Sequence, residues 1–141
     1  MSRSRLLFVC THNSARSQMA EAMVNAWGGD RFEASSAGTV ATSIRPETIA
    51  VMHELGLDLS GQRSKELDEF RGQSFERVIT VCDDAAEACP TFPGANSIAH
   101  WSIPDPSRVV GGDPERLAAF RAARDAVADR VRQLLAAAEA G

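Results

Sequence analysis

No run of apolar residues in this chain approaches the ~20 that a membrane-spanning helix needs, and the expectation is a cytoplasmic protein with no membrane contact. Arg3 and Arg5 ahead of Leu6-Leu7-Phe8-Val9 resemble the basic start of a signal peptide, but the apolar run is too short and no small-residue cleavage site follows it. A basic excess is also missing: 15 Lys and Arg stand against 19 Asp and Glu, for a net charge of −4. That balance excludes a nucleic-acid surface, so any positive potential that attracts an anion must be local. Tyrosine is absent. Cysteine is scarce: Cys10, Cys82 and Cys89 are an odd set, unsuited to a disulfide framework. They are equally unsuited to zinc, because Cys82 and Cys89 stand seven apart with no complementary His pair, and no metal site is expected.

What is present is an alternation of apolar runs and helical patterns in 141 residues, a length that fits one domain, 1–141, with a core of its own. Residues 5–10 read as a strand buried on both faces, as in a parallel sheet. From Ser14 to Trp27, Met19, Ala20, Met23, Val24 and Trp27 recur at helical spacing, predicting a helix whose Met and Trp stripe packs in the core and which Gly28-Gly29 ends. Glu21 reads by default as a solvated position on that helix, with support of the preceding loop as the alternative.

Phe32 to Gly38 predicts a second strand. Pro46 then suits the first position of a helix with Ile49, Met52, a partly exposed His53 and Leu55 on one face, stopped by Gly56. Residues 57–70 hold a short helix at most, around Lys65 to Phe70. Phe75 to Val81 is the clearest strand and delivers Cys82 at its end; Asp83 to Ala88 suits nearly two helical turns, closed by Pro90. Asn96 to Trp101 reads as a fourth strand, followed by the turn-rich Ser102-Ile103-Pro104-Asp105-Pro106. Asp113-Pro114-Glu115 opens a last helix toward Ala138, with Leu117, Phe120, Val127, Val131 and Leu134 on one face. This order implies an α/β three-layer sandwich with a four-stranded parallel sheet, in which ligands bind beyond the carboxyl ends of the strands.

One stretch carries most of the chemistry: Cys10-Thr11-His12-Asn13-Ser14-Ala15-Arg16-Ser17. A strand, a tight polar loop and a helix start aim backbone N–H groups at one point, which suits a tetrahedral oxyanion. Residues 11–17, from Thr11 through His12, Asn13, Ser14, Ala15 and Arg16 to Ser17, are the expected anion cradle. Arg16 adds a planar, permanently charged fork. Cys10 stands at the mouth of the cradle as a nucleophile, and Ser17 can donate a hydroxyl hydrogen bond to its sulfur. Asn13 tolerates left-handed backbone and can brace the turn. Asp105, held between two prolines, suits a general acid that protonates a departing oxygen.

Cys10, Cys82 and Asp105 all follow strand ends and are expected to converge on one edge of the sheet. If residues 82–89 were fully helical, the two Cα atoms would stand roughly 10 Å apart, whereas a disulfide needs them within about 7 Å. A Cys82–Cys89 bond therefore requires the segment to unwind or loop out, conditional on the bond forming at all.

These residues resemble the thioredoxin-coupled arsenate reductases, which share the low-molecular-weight protein tyrosine phosphatase fold. The resemblance rests on Cys10 through Glu21, on Ser36-Ala37-Gly38, on Cys82-Asp83-Asp84 with Cys89-Pro90, and on His100-Trp101 followed by Asp105-Pro106. It implies a cascade of three thiols: Cys10 attacks arsenate held by the loop and Arg16, Cys82 attacks the Cys10 sulfur as arsenite leaves, and Cys89 attacks Cys82. Thioredoxin then reduces the Cys82–Cys89 disulfide. It also implies a monomer with no bound cofactor, reducing equivalents from thioredoxin, and phosphate or sulfate as mimics of arsenate. Some members of that family bind potassium through residues matching Asn13, Glu21 and Ser36 together with a downstream acidic group. Here Arg63-Ser64-Lys65 occupies the downstream region, so a lysine ammonium is expected in place of the ion. The rival reading is a phosphatase acting on phosphotyrosine or small aryl phosphates through Cys10 and Asp105, which would leave Cys82 and Cys89 without a task. A non-catalytic phosphate-binding module is a third class and requires an unreactive Cys10.

Overall fold

The computed structural model describes residues 3–82 and 94–140. Cys89 and the helical turns expected over 83–88 lie outside the described residues. Four strands, β1 (Ser4–Cys10), β2 (Phe32–Gly38), β3 (Phe75–Thr80) and β4 (Ala95–His100), form one sheet in the order β2-β1-β3-β4, with every pairing parallel. All four carboxyl ends therefore lie along one edge. The helices are α1 (Arg16–Gly28), α2 (Pro46–His53) and α3 (Asp113–Ala140), with single 3-10 turns at Leu67–Phe70 and Pro106–Arg108.

Alternation along the central strand sorts the core. Leu6 and Phe8 join Met19, Met23, Val51, Met52, Phe120, Val127 and Val131 in the larger cluster, beneath the helices. Leu7 and Val9 point the other way, with Ala37, Phe70, Phe75 and Val78. Among the described residues, the layer over that second face is the 3-10 turn carrying Phe70, whose ring meets Phe75 edge-on at 5.7 Å. Strand β1 is buried on both sides from Leu6 to Cys10, the condition for a near-continuous apolar run in a parallel sheet.

Three expectations are corrected by packing. The buried positions of α2 are Thr48, Val51 and Met52, one step round from the expected face, while Ile49 and Leu55 are exposed. The hydroxyl of Thr48 donates to the Ser14 carbonyl at 3.2 Å, so a polar residue takes the inward place that hydropathy assigns to isoleucine. Trp27 is 36 % exposed and lies at the rim of α1 with the Arg132 guanidinium 5.3 Å over its ring. Helix α1 starts at Arg16, two residues later than the pattern suggests, because residues 11–15 are spent on the loop.

Candidate active site

The loop between β1 and α1 is held by its carbonyl oxygens. Thr11 O accepts from the Val40 N–H at 3.1 Å, and His12 O from the Ser64 hydroxyl at 3.0 Å. Asn13 O accepts from Gln18 Nε2 at 3.2 Å, and Ser14 O from the Arg45 N–H at 3.1 Å. In a trans peptide the next residue's N–H points opposite to each carbonyl. Tying residues 11–14 outward by their oxygens therefore turns the N–H groups of residues 12–15 inward. The Asn13 N–H does reach the Cys10 sulfur, at 3.3 Å. The cradle is thus made by donors from residues 18 to 64, which the loop's own sequence does not contain.

Gly38 is part of this construction. A Cβ there would stand 2.7 Å from Thr11 O and 2.8 Å from Asn13 N, so only glycine lets β2 approach the loop. His12 and Ser14 line a cleft of about 310 Å³ with Thr42, Ser43, Arg45 and Pro46.

A buried hydrogen-bond chain runs behind Cys10. Asn13 adopts φ 51°, the left-handed region, and is fully buried. Its Oδ1 accepts from the Lys65 backbone N–H and from Gln18 Nε2, both at 2.8 Å. Because a backbone N–H can only donate, the amide nitrogen of Asn13 must face the other way. It donates to Ser17 Oγ at 2.8 Å and to Ser36 Oγ at 2.9 Å. The Ser17 oxygen is then already accepting, and its single proton points to the Cys10 sulfur at 2.8 Å.

The Ser36 proton goes to Glu21 Oε1 at 2.6 Å. Glu21 therefore belongs to the support of the loop, against the default reading of a solvated position. Burial pushes its carboxyl above the ordinary value, while the Ser36 hydrogen bond and the Lys65 ammonium, 3.7 Å away, act in the opposite direction. Lys65 Nζ also donates to Arg63 O at 2.8 Å.

Arg16 is buried, with Nη1 donating to Ile103 O at 2.9 Å and Nη2 3.6 Å from Asp105 Oδ2. The Ile103 N–H donates to Cys82 O at 3.3 Å, so the segment after β4 spans from Cys82 to Arg16. Cys82 is buried, and its sulfur lies 4.0 Å from the carbonyl oxygen of Val9, the residue before Cys10. Cys10, Cys82 and Asp105 are thus brought to one edge of the sheet, as their positions after strand ends imply, and Arg16 at the start of α1 joins them. Gln18, Thr48, Ser64 and the Lys65 N–H are the contributors that sequence reasoning passes over, since each acts across the fold with no local pattern to mark it.

A model of the family described as low molecular weight phosphotyrosine protein phosphatase matches residues 5–140. The chain belongs to that family. Within it, the chain is similar to proteins named for another activity. It is 37 % identical to an arsenate reductase of Halalkalibacterium halodurans, over 94 % of this chain and 95 % of that one. It is 33 % identical to a glutaredoxin arsenate reductase of Synechocystis, over 94 % of this chain and 96 % of that one. A solved arsenate reductase in the phosphate binding state superposes with a TM-score of 0.77 at 31 % identity, covering 94 % of this chain and 97 % of that one. A thioredoxin-dependent arsenate reductase of Corynebacterium glutamicum superposes with a TM-score of 0.70 at 26 % identity, covering 96 % of this chain and 61 % of that one. Among the described residues no helix is long and apolar enough to cross a membrane.

Proposed function

We propose that this protein reduces arsenate to arsenite through Cys10, Cys82 and Cys89, with thioredoxin restoring the thiols. The observation that carries the reading is the place of Cys82: a buried thiol two residues past the end of β3, the strand beside β1, with its sulfur against the backbone of the residue that precedes Cys10. A hydrolase needs no second thiol there. The relatives named arsenate reductases, matched over nearly the whole chain, support the same reading.

The Cys10 thiolate attacks arsenic of an anion held by the N–H groups of residues 12–15 and by Arg16. One arsenic–oxygen bond breaks, and Asp105 supplies the proton with which that oxygen leaves as water. The Cys82 thiolate then attacks the Cys10 sulfur. The electron pair of the sulfur–arsenic bond goes to arsenic, which leaves as arsenite, and a Cys10–Cys82 disulfide forms. Arsenic gains the two electrons that the two thiols lose. Cys89 attacks the Cys82 sulfur, Cys10 departs as thiolate, and the Cys82–Cys89 disulfide is reduced by an external dithiol. Free thiols of this kind belong in a reducing compartment, in keeping with the cytoplasm. The same cradle with Asp105 suits slow cleavage of aryl phosphates, because phosphate and arsenate share shape and charge.

The test compares wild type with Cys82→Ser and Cys89→Ser. Arsenate-dependent NADPH consumption is followed with thioredoxin and its reductase, and separately with glutaredoxin, glutathione and glutathione reductase. Both variants are expected to lose turnover with arsenate while keeping aryl phosphate hydrolysis. Full arsenate turnover without Cys89 would refute the cascade, and turnover only with glutaredoxin would reassign the reductant.

A further inference from the structure

The two oxygens of the Asp105 carboxyl group have different surroundings among the described residues. Its Oδ1 accepts two hydrogen bonds from a single residue, the backbone N–H of Ser107 at 2.9 Å and the Ser107 hydroxyl at 2.7 Å. Its Oδ2 is the oxygen that faces Arg16, 3.6 Å from Nη2, with the Asp105 side chain 11 % exposed and Arg16 4 % exposed. The turn beneath is closed by Arg108 N–H to Asp105 O and Val109 N–H to Pro106 O, both at 3.3 Å, and Arg116 ties Val109 O at 3.0 Å.

We propose that Ser107 is the positioning residue that decides which oxygen of Asp105 carries the proton delivered to the departing oxygen. Oδ1 already accepts from two donors, so an acidic proton placed on it would make the Ser107 hydroxyl turn from donor to acceptor and lose the bond it donates. The protonated acid therefore carries its hydrogen on Oδ2, the oxygen directed at Arg16 and the anion. Rotation of the carboxyl group would break both bonds from Ser107 at once. Pro106 adds a fixed φ between the two residues, so the Asp105 carboxyl and the Ser107 donors keep their relative positions. Ser107 touches neither the anion nor Cys10. It acts through Asp105, and the inference rests on the reading of Asp105 as the general acid.

The experiment uses Cys10-dependent hydrolysis of two esters by the full chain: phenyl phosphate, whose leaving group needs a proton, and 2,4-dinitrophenyl phosphate, whose leaving group does not. The readout is the ratio of kcat/KM between the two, measured on the same preparation, so the fraction of folded protein cancels. General acids contribute about a hundredfold or more, and the backbone N–H survives substitution, so Ser107→Ala should lower kcat/KM for phenyl phosphate by about three- to tenfold. The dinitrophenyl ester should stay within about twofold under the same reasoning. Ser107→Thr, which keeps both donors, should restore the wild-type ratio.

An equal loss on both esters would mean a merely structural serine and would overturn the proposal. So would an unchanged ratio in Ser107→Ala alongside a strongly leaving-group-dependent loss in Asp105→Asn. If Asp105→Asn itself shows no dependence on the leaving group, the general-acid reading fails, and the role of Ser107 fails with it.

Discussion

The backbone N–H of Lys65 donates to Asn13 Oδ1 at 2.8 Å across fifty-two residues of sequence, and this bond sets the direction of every proton behind the nucleophile. It holds the amide nitrogen of Asn13 toward Ser17 and Ser36, and so leaves the Ser17 proton for the Cys10 sulfur. The loop carries the nucleophile, but the polarity of its surroundings is imposed from the segment after α2.

Removal of that last donor should show in the reactivity of the sulfur. A hydrogen bond to a charged acceptor contributes about 1.5–3 kcal/mol, so Ser17→Ala should slow alkylation of Cys10 near neutral pH by about tenfold or more. Iodoacetamide kinetics, followed by mass spectrometry of the peptide bearing Cys10, would measure it. A rate equal to wild type would show that the Ser17 proton does not matter to the thiolate.

The close approach of β2 to the loop predicts a sharp steric effect. In Gly38→Ala the new methyl group meets backbone atoms of Thr11 and Asn13 rather than flexible side chains, so the loop itself must move. A misplacement on the order of 1 Å at a reacting centre costs about a hundredfold. Arsenate turnover should therefore fall by about ten- to a hundredfold, and the melting temperature should fall with it. Retention of full turnover would show that the loop relaxes without disturbing the cradle.

The ammonium of Lys65 beside Glu21 predicts indifference to monovalent cations. Replacing potassium by sodium at constant ionic strength should leave kcat/KM unchanged, and clear activation by potassium would contradict the assignment. The pH dependence has a definite sign. Glu21 is held above its ordinary value by burial, so it is protonated in folded and unfolded chains at pH below about 4.5, and its ionisation opposes folding as the pH rises. Lys65 offsets that cost only when the carboxylate is charged. The melting-temperature deficit of Lys65→Met should therefore grow as the pH rises above the ordinary carboxylate value of 4.5, whereas a constant deficit would mean that Lys65 acts through packing alone.

Glu54, at the end of α2, is gripped by Arg121 at 2.7 Å and by Arg124 at 2.7 Å, both from α3. The hydrogen bonds from the two guanidinium groups pull its carboxyl down to about 2. A depressed folded value means that the clamp contributes fully above about pH 4.5 and is lost as the pH falls toward 2. Thermal melts of wild type and Glu54→Gln should differ near neutral pH and converge as the pH falls to about 2, and solvent screening keeps the difference small. A gap that persists at pH 2 would mean that the carboxylate's charge is not what joins the helices.

The sequence by itself determined the strands, the order of the elements and the candidates for the reacting groups. Those depend on local signals: an apolar run that ends in a cysteine, a proline at a helix start, an aspartate between two prolines. Their convergence was legible because a parallel sheet sends every strand's carboxyl end to one edge. Only the tertiary structure decided what surrounds them. Thr48 turned inward, where its hydroxyl adds a second donor to the Ser14 carbonyl of the loop, whereas hydropathy ranks isoleucine above threonine for that place. Glu21 left its expected solvated role because Ser36 and Lys65, distant in sequence, meet it in the core. The inward aim of the loop's N–H groups came from hydrogen bonds made by residues up to fifty-two positions away, and no pattern within the loop encodes them. Periodicity reports which side of an element is apolar, whereas the direction of a proton depends on partners that only folding brings together.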